Sequence, residues 1–138
     1  MTFLNRKFGN AKNKVRLRSI KMADTHISFY LKANRIHIFV KALRKIGSPQ
    51  RICFMIDPHG ETLLLSPYEI RDFKSHGVPI EVYQGSGVME VSSKKLCILL
   101  ATRHHWNINR SYRVPGNIID RQRVVVFNLA NAEAIDNP

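Results

Sequence analysis

The chain has 138 residues, 44% apolar and 23% charged, a balance that fits one ordinary folded domain and excludes a disordered chain. Lysine and arginine number 22 against 10 aspartate and glutamate, a formal charge of +12 with a sequence pI near 10.2; such a field favours a polyanionic partner. No apolar run approaches the ~20 residues of a membrane span, and Cys53 and Cys97 lie far apart in the runs ICFMI and LCILL, which suits buried, reduced thiols rather than a disulfide or zinc framework.

In chain order, residues 1–24 form a basic arm: Arg6, Lys7, Lys12, Lys14, Arg16, Arg18 and Lys21 come before the first acid, Asp24. Lys14, Arg16 and Arg18 alternate with Val15 and Leu17, a strand-like pattern suited to tracking phosphates along a groove. Residues 25–132 are expected to be one globular domain. In its first half, 25–66, "THISFYLK" and "RIHIF" alternate on either side of Asn34, which predicts a hairpin with Asn34 in a positive-φ position. A short helix follows, with Val40, Leu43 and Ile46 toward the core. Lys41, Arg44 and Lys45 share another face, and Gly47 with Pro49 stops the helix. "RICFMI" and "TLLL" flank Asp57-Pro58-His59-Gly60, a type I turn signature and hence a second hairpin.

"SPYEIRDFKSHG" reads as a short helical connector started by Ser66, Pro67 and Glu69. The second half, 79–130, repeats the element order: strands "IEVY" and "VMEVS" around "QGSG", a helix over "SKKLCILLATR" capped by Ser92 or Ser93, then "SYRV" with "NII" around a Pro115–Gly116 bend, and "VVVFNL". Residues 133–138 form a mildly acidic tail. The predicted fold class is therefore mainly β with short helices, α+β: two β-β-α-β-β halves sharing a swapped-hairpin or barrel-like core with pseudo-two-fold symmetry. Halves near 45 residues rarely fold alone.

The stretch "ISFYLKANRIHIFVKALRKIGSPQRICFMIDPHGETLLLSP" resembles the AbrB/MazE-like (SpoVT–AbrB) swapped-hairpin domain. Arg35 matches its turn arginine, Ile36 and Ile38 its alternating strand, Ile46–Gly47 its helix end and Pro67 its closing proline. Asn34 stands where that family has glycine, Phe39 where it has proline, and Leu43–Arg44 one place later than its Leu-Arg. The resemblance implies double-stranded DNA binding in transcription regulation, or an antitoxin-type module that also binds a protein. It implies nucleic-acid contact through Arg35 and Lys32; for base reading in a groove, Arg35 is the first candidate and Asn34 the next. The common helix face adds Lys41, Arg44 and Lys45, and the arm adds Lys14, Arg16 and Arg18.

An RNA-binding protein that recognises backbone shape is the alternative. A second copy and a protein partner, met by the tail acids Glu133 and Asp136, are further candidate partners. Six histidines include the adjacent His104 and His105, but no H-x-x-x-H, G-x-S-x-G or phosphate loop accompanies them, so no enzymatic role, metal or cofactor is expected. Trp106, Tyr112 and Phe127 read as core or rim aromatics. A cytoplasmic, nucleoid-associated location follows from these expectations.

Overall fold

The computed structural model describes residues 22–72 and 74–136; Lys14, Arg16 and Arg18 lie outside them. The strands are β1 (Thr25–Tyr30), β2 (Arg35–Phe39), β3 (Arg51–Ile56), β4 (Thr62–Pro67), β5 (Ser75–Gly77), β6 (Val88–Ser92), β7 (Ser111–Ile119), β8 (Val124–Asn128) and β9 (Glu133–Ala134). The α-helices are α1 (Val40–Lys45) and α2 (Lys94–His104). All pairings are antiparallel, in the order β5-β3-β4-β8-β7-β1-β2-β6, with β9 beside β7. The sheet curls into a nearly closed barrel around one core.

The two-residue alternation sets the register, because a slip by one would turn every apolar side chain outward. Ile27 faces Ile38 and Val114, Phe29 faces Ile36 and Tyr112, Ile38 faces Met89, and Ile36 faces Val91. Around the other side Leu63 faces Phe127 and Leu65 faces Val125. Ile27, Phe29, Ile36, Ile38, Leu63, Leu65, Val114, Val125 and Phe127 are all fully buried. Burying each such side chain is worth about 1.5–3 kcal/mol relative to leaving it in water.

Local signals close the loops. Asn34 (φ 54°, ψ 41°) ends a three-residue turn, Leu31–Ala33, between β1 and β2. Arg123 (φ 55°, ψ 48°) ends the equivalent turn, Asp120–Gln122, between β7 and β8. Helix α1 buries Ala42 and Leu43 and stops in a Schellman arrangement: Ser48 N–H donates to Leu43 C=O at 2.9 Å and Gly47 N–H to Arg44 C=O at 3.1 Å. Gly47 holds φ at +100° there, a conformation that glycine adopts without a Cβ penalty. Asp57 accepts from Glu61 N–H (2.7 Å) and Thr62 N–H (2.8 Å) and fixes the β3–β4 turn. Ser93 is the cap of α2, its hydroxyl accepting from Leu96 N–H at 3.2 Å.

Two local expectations are corrected. Among its described residues, segment 66–77 forms no helix: Ser66 and Pro67 finish β4, and Ser75–Gly77 pairs with β3. The Ser-Pro-x-Glu signal is overridden because the backbone of Ser66 is committed to Cys53 across the sheet. "IEVY" is no strand: Val82 N–H closes a turn on Pro79 C=O (3.0 Å), and Val82–Ser86 forms a wide helical turn. Only Val82 is buried in that stretch, so no alternating face is needed. The expected third strand of that half, SYRV with NII, is one strand, β7, which runs through Pro115 and Gly116, paired to β1 and then to β8. The second half therefore presents β6-α2-β7-β8 where β-β-α-β-β was expected.

Candidate nucleic-acid interface

The antiparallel register gives the barrel two ends. At one, Thr25 pairs with Gly116, Phe39 with Val88 and Ile119 with Val124. At the other, Tyr30 pairs with Arg35 and Ser111, and Arg35 with Ser92. Residues 35 to 39 of β2 separate them by about 14 Å at 3.4 Å per residue. The sequence-derived candidates divide between these ends: Lys32, Asn34 and Arg35 surround the β1–β2 turn, whereas Lys41, Arg44 and Lys45 are on α1 at the opposite end.

At the α1 end, Lys41 and Lys45, one helical turn apart, line a hollow of about 320 Å³ with Asp24, Ile118 and Asp120. Asp24 is anchored there, its N–H donating to Gly116 C=O (3.0 Å) and its carboxylate accepting from Ile118 N–H (2.8 Å). The chain thus enters the barrel from its basic arm beside the α1 lysines. The Arg123 guanidinium lies 3.7 Å from where a Cβ on Gly47 would be, over the C-terminus of α1. Lys41, Lys45 and Arg123 are exposed. Arg44 turns to the other side and donates to Tyr83 C=O at 3.1 Å, so the three α1 cations do not act as one face. Beyond it Gln50, Arg51, Arg71, Ile80 and Tyr83 help line a wider hollow of about 710 Å³. Arg51 is held there, Nε donating to Ser75 Oγ at 2.8 Å.

At the turn end, Arg35 is engaged. Its Nη1 lies 2.7 Å from Glu90 Oε2, and His37 Nε2 lies 3.0 Å from Glu90 Oε1. The Tyr30 ring packs on His37 with centroids 4.7 Å apart. Glu90, His37, Ser28, Arg113 and Glu133 form one cross-strand row on the outer face. Ser28, His37 and Glu90 are the residue types of an acyl-transfer triad, but Ser28 is 1% exposed and its hydroxyl has no hydrogen-bond partner. The nucleophile–base bond and the access that such chemistry requires are missing. Sequence reasoning did not find Glu90, whose place opposite His37 depends on the pairing of β2 with β6.

Two of the remaining titratable candidates, His104 and Asp136, make contacts within the chain. His104 bonds Gly60 C=O through Nε2 at 2.7 Å and packs beside Trp106, which stacks on Tyr112 (centroids 4.9 Å, interplanar angle 15°) and touches Phe29. Burial pushes the Cys97 thiol up to about 11 and raises that of Cys53. Asp136 is bound within the chain, accepting from Ser111 N–H at 3.0 Å with Arg110 beside it. Those hydrogen bonds, Ser111 first, hold its carboxyl below the usual range. The tail acid Asp136 is thus already partnered, and Glu133 stands opposite Arg113. Among the described residues no cluster of three or more His, Cys, Asp or Glu could hold a metal ion, and no helix is long and apolar enough to cross a membrane.

No family model, curated protein or solved structure matches this chain.

Proposed function

We propose that the protein binds double-stranded DNA as a regulator, through the end of the barrel that carries α1. The observation that carries this reading is the meeting of Lys41 and Lys45 with the root of the basic arm at Asp24, with Arg123 beside Gly47 at the C-terminus of the same helix. Residues 1–21 hold seven of the 22 cations and no acid, which leaves 15 cations against 10 acids in the rest of the chain. The field is therefore concentrated on the arm and on whatever surface adjoins it. A rigid end with lysines and a flanking cationic tail suits phosphate contact, the main source of affinity in such complexes. Arg35, committed to Glu90, is a weaker candidate for reading bases.

The swapped-hairpin, pseudo-two-fold reading belongs to the same proposal. It is supported by the strand order, in which hairpin β7–β8 of the second half lies between hairpins β3–β4 and β1–β2 of the first.

Fluorescence anisotropy with a labelled random duplex at several salt concentrations tests the function. The expected result is binding at low salt whose logarithm falls with the logarithm of salt by several units. Replacing Lys41 and Lys45 by alanine should weaken it about tenfold without altering the thermal melt. No duplex binding at low salt, with tight binding to a structured RNA, would overturn the DNA reading in favour of the RNA alternative.

A further inference from the structure

A second surface, at the opposite end from α1, carries different chemistry. Along one side of α2, Lys94, Cys97, Ile98 and Ala101 follow one another at i, i+3, i+4 and i+7, a stripe about 10 Å long at 1.5 Å per residue. Leu31, Lys32 and Asn34 from the β1–β2 turn form the facing wall, with Ile108 and Asn109 at the end, and the hollow between them is about 360 Å³. Its floor is apolar, and Cys97, its thiol neutral below about pH 11, adds no charge. Ile98 is 49% and Ile108 64% exposed at this hollow. The rim carries two lysines, Lys32 and Lys94, and no acidic residue lines the hollow. Neither lysine enters an ion pair among the described residues.

We infer that this hollow docks an acidic, leucine-type segment of another protein: apolar side chains enter between α2 and the β1–β2 turn while carboxylates meet Lys32 and Lys94. The charge selects the occupant. A second copy would bring the same lysines to the same place, and like charges across an interface are costly. The chain's own arm is cationic, and the tail acid Asp136 is bound to Ser111 and Arg110. Nucleic acid would meet exposed isoleucines where it needs polar or stacking partners. A concave stripe two helical turns long is the shape that receives i, i+3, i+4 anchors.

The test is anisotropy with a labelled peptide of about 12 residues, three helical turns, carrying leucines at i, i+3, i+4 and i+7 on an otherwise Glu/Asp-rich sequence. A comparison peptide has serine for each leucine. The leucine peptide should bind the full chain about tenfold more tightly than the serine peptide, since charge is equal and only the apolar term differs. Ile98→Asp with Ile108→Asp should abolish that difference, and Lys94→Glu should weaken the leucine peptide severalfold, with unchanged melts and unchanged duplex affinity. Equal binding of the two peptides, or no binding of either, overturns the inference. So does loss in the isoleucine variant of duplex binding, of binding to equal-part phosphatidylserine–phosphatidylcholine vesicles, or of self-association in sedimentation. Those losses would assign the surface to nucleic acid, lipid or a second copy.

Discussion

Arg35 Nη1 and Glu90 Oε2 lie 2.7 Å apart across β2 and β6, and the same carboxylate takes His37 Nε2 on its other oxygen at 3.0 Å. Both partners of the ion pair are about half exposed, at 47% and 48%, where such a pair contributes about 0.2–1 kcal/mol. Arg35→Ala should therefore change urea-unfolding stability by less than about 1 kcal/mol and reduce duplex affinity less than Lys41→Ala with Lys45→Ala. A larger affinity loss from Arg35→Ala would return the DNA contact to the β1–β2 turn.

Gly116 leaves room for an aromatic ring. A Cβ there would come within 2.4 Å of Phe127 Cδ1, from the residue directly opposite on β8. Gly116→Ala should cost about 1–3 kcal/mol by overpacking, and Phe127→Ala about 3–5 kcal/mol by leaving a cavity. The two combined should be less destabilising than the sum, because each relieves the other's defect. Denaturant unfolding of the four proteins checks this, and strict additivity would show that the contact does not govern the site.

Cys97 is buried, and desolvation lifts its thiol from 9.0 to about 11. An acid whose folded value is raised favours the folded state below its unfolded value. That contribution is lost as pH climbs from about 9 to about 11. Stability should decline over that interval, and Cys97→Ala should flatten the decline. Ellman's reagent at pH 8 should label Cys97 only as fast as the protein opens; labelling within seconds on the native protein would contradict the buried position.

Asp57 behaves in the opposite sense. Hydrogen bonds from the backbone N–H groups, Thr62 first, hold its carboxyl below the usual value. Its contribution is present above pH 3.8, the ordinary value, and disappears as pH falls through the lower folded value. Asp57→Ala should lower the melting temperature at pH 7, an effect that shrinks as pH falls below 3.8. A pH-independent difference would mean that the side chain acts only by its shape.

Removal of residues 1–21 takes away seven cations. If all seven meet phosphates, the salt slope of duplex binding should fall by up to about 6, at about 0.9 per contact. An unchanged slope would confine the interface to the barrel itself.

The alternation of Ile27, Phe29, Ile36, Ile38, Leu63 and Leu65 determined by itself which face of each strand is buried, since the period of two is a local property of an extended chain. Asn34, Gly47, the Asp57–Gly60 turn and a serine cap at 92 or 93 were equally legible, because caps and turns are settled by φ and by hydrogen bonds only a few residues long. Tertiary structure decided which strands become neighbours. Glu90 meets Arg35 and His37 from more than 50 residues away, Gly116 and Phe127 interlock within one continuous β7–β8 pair, and Ser75–Gly77 becomes a strand only because β3 offers it an edge. The length of β2, a local property, parts the cations of the β1–β2 turn from those of α1, so residues close in sequence lie at opposite ends of the barrel.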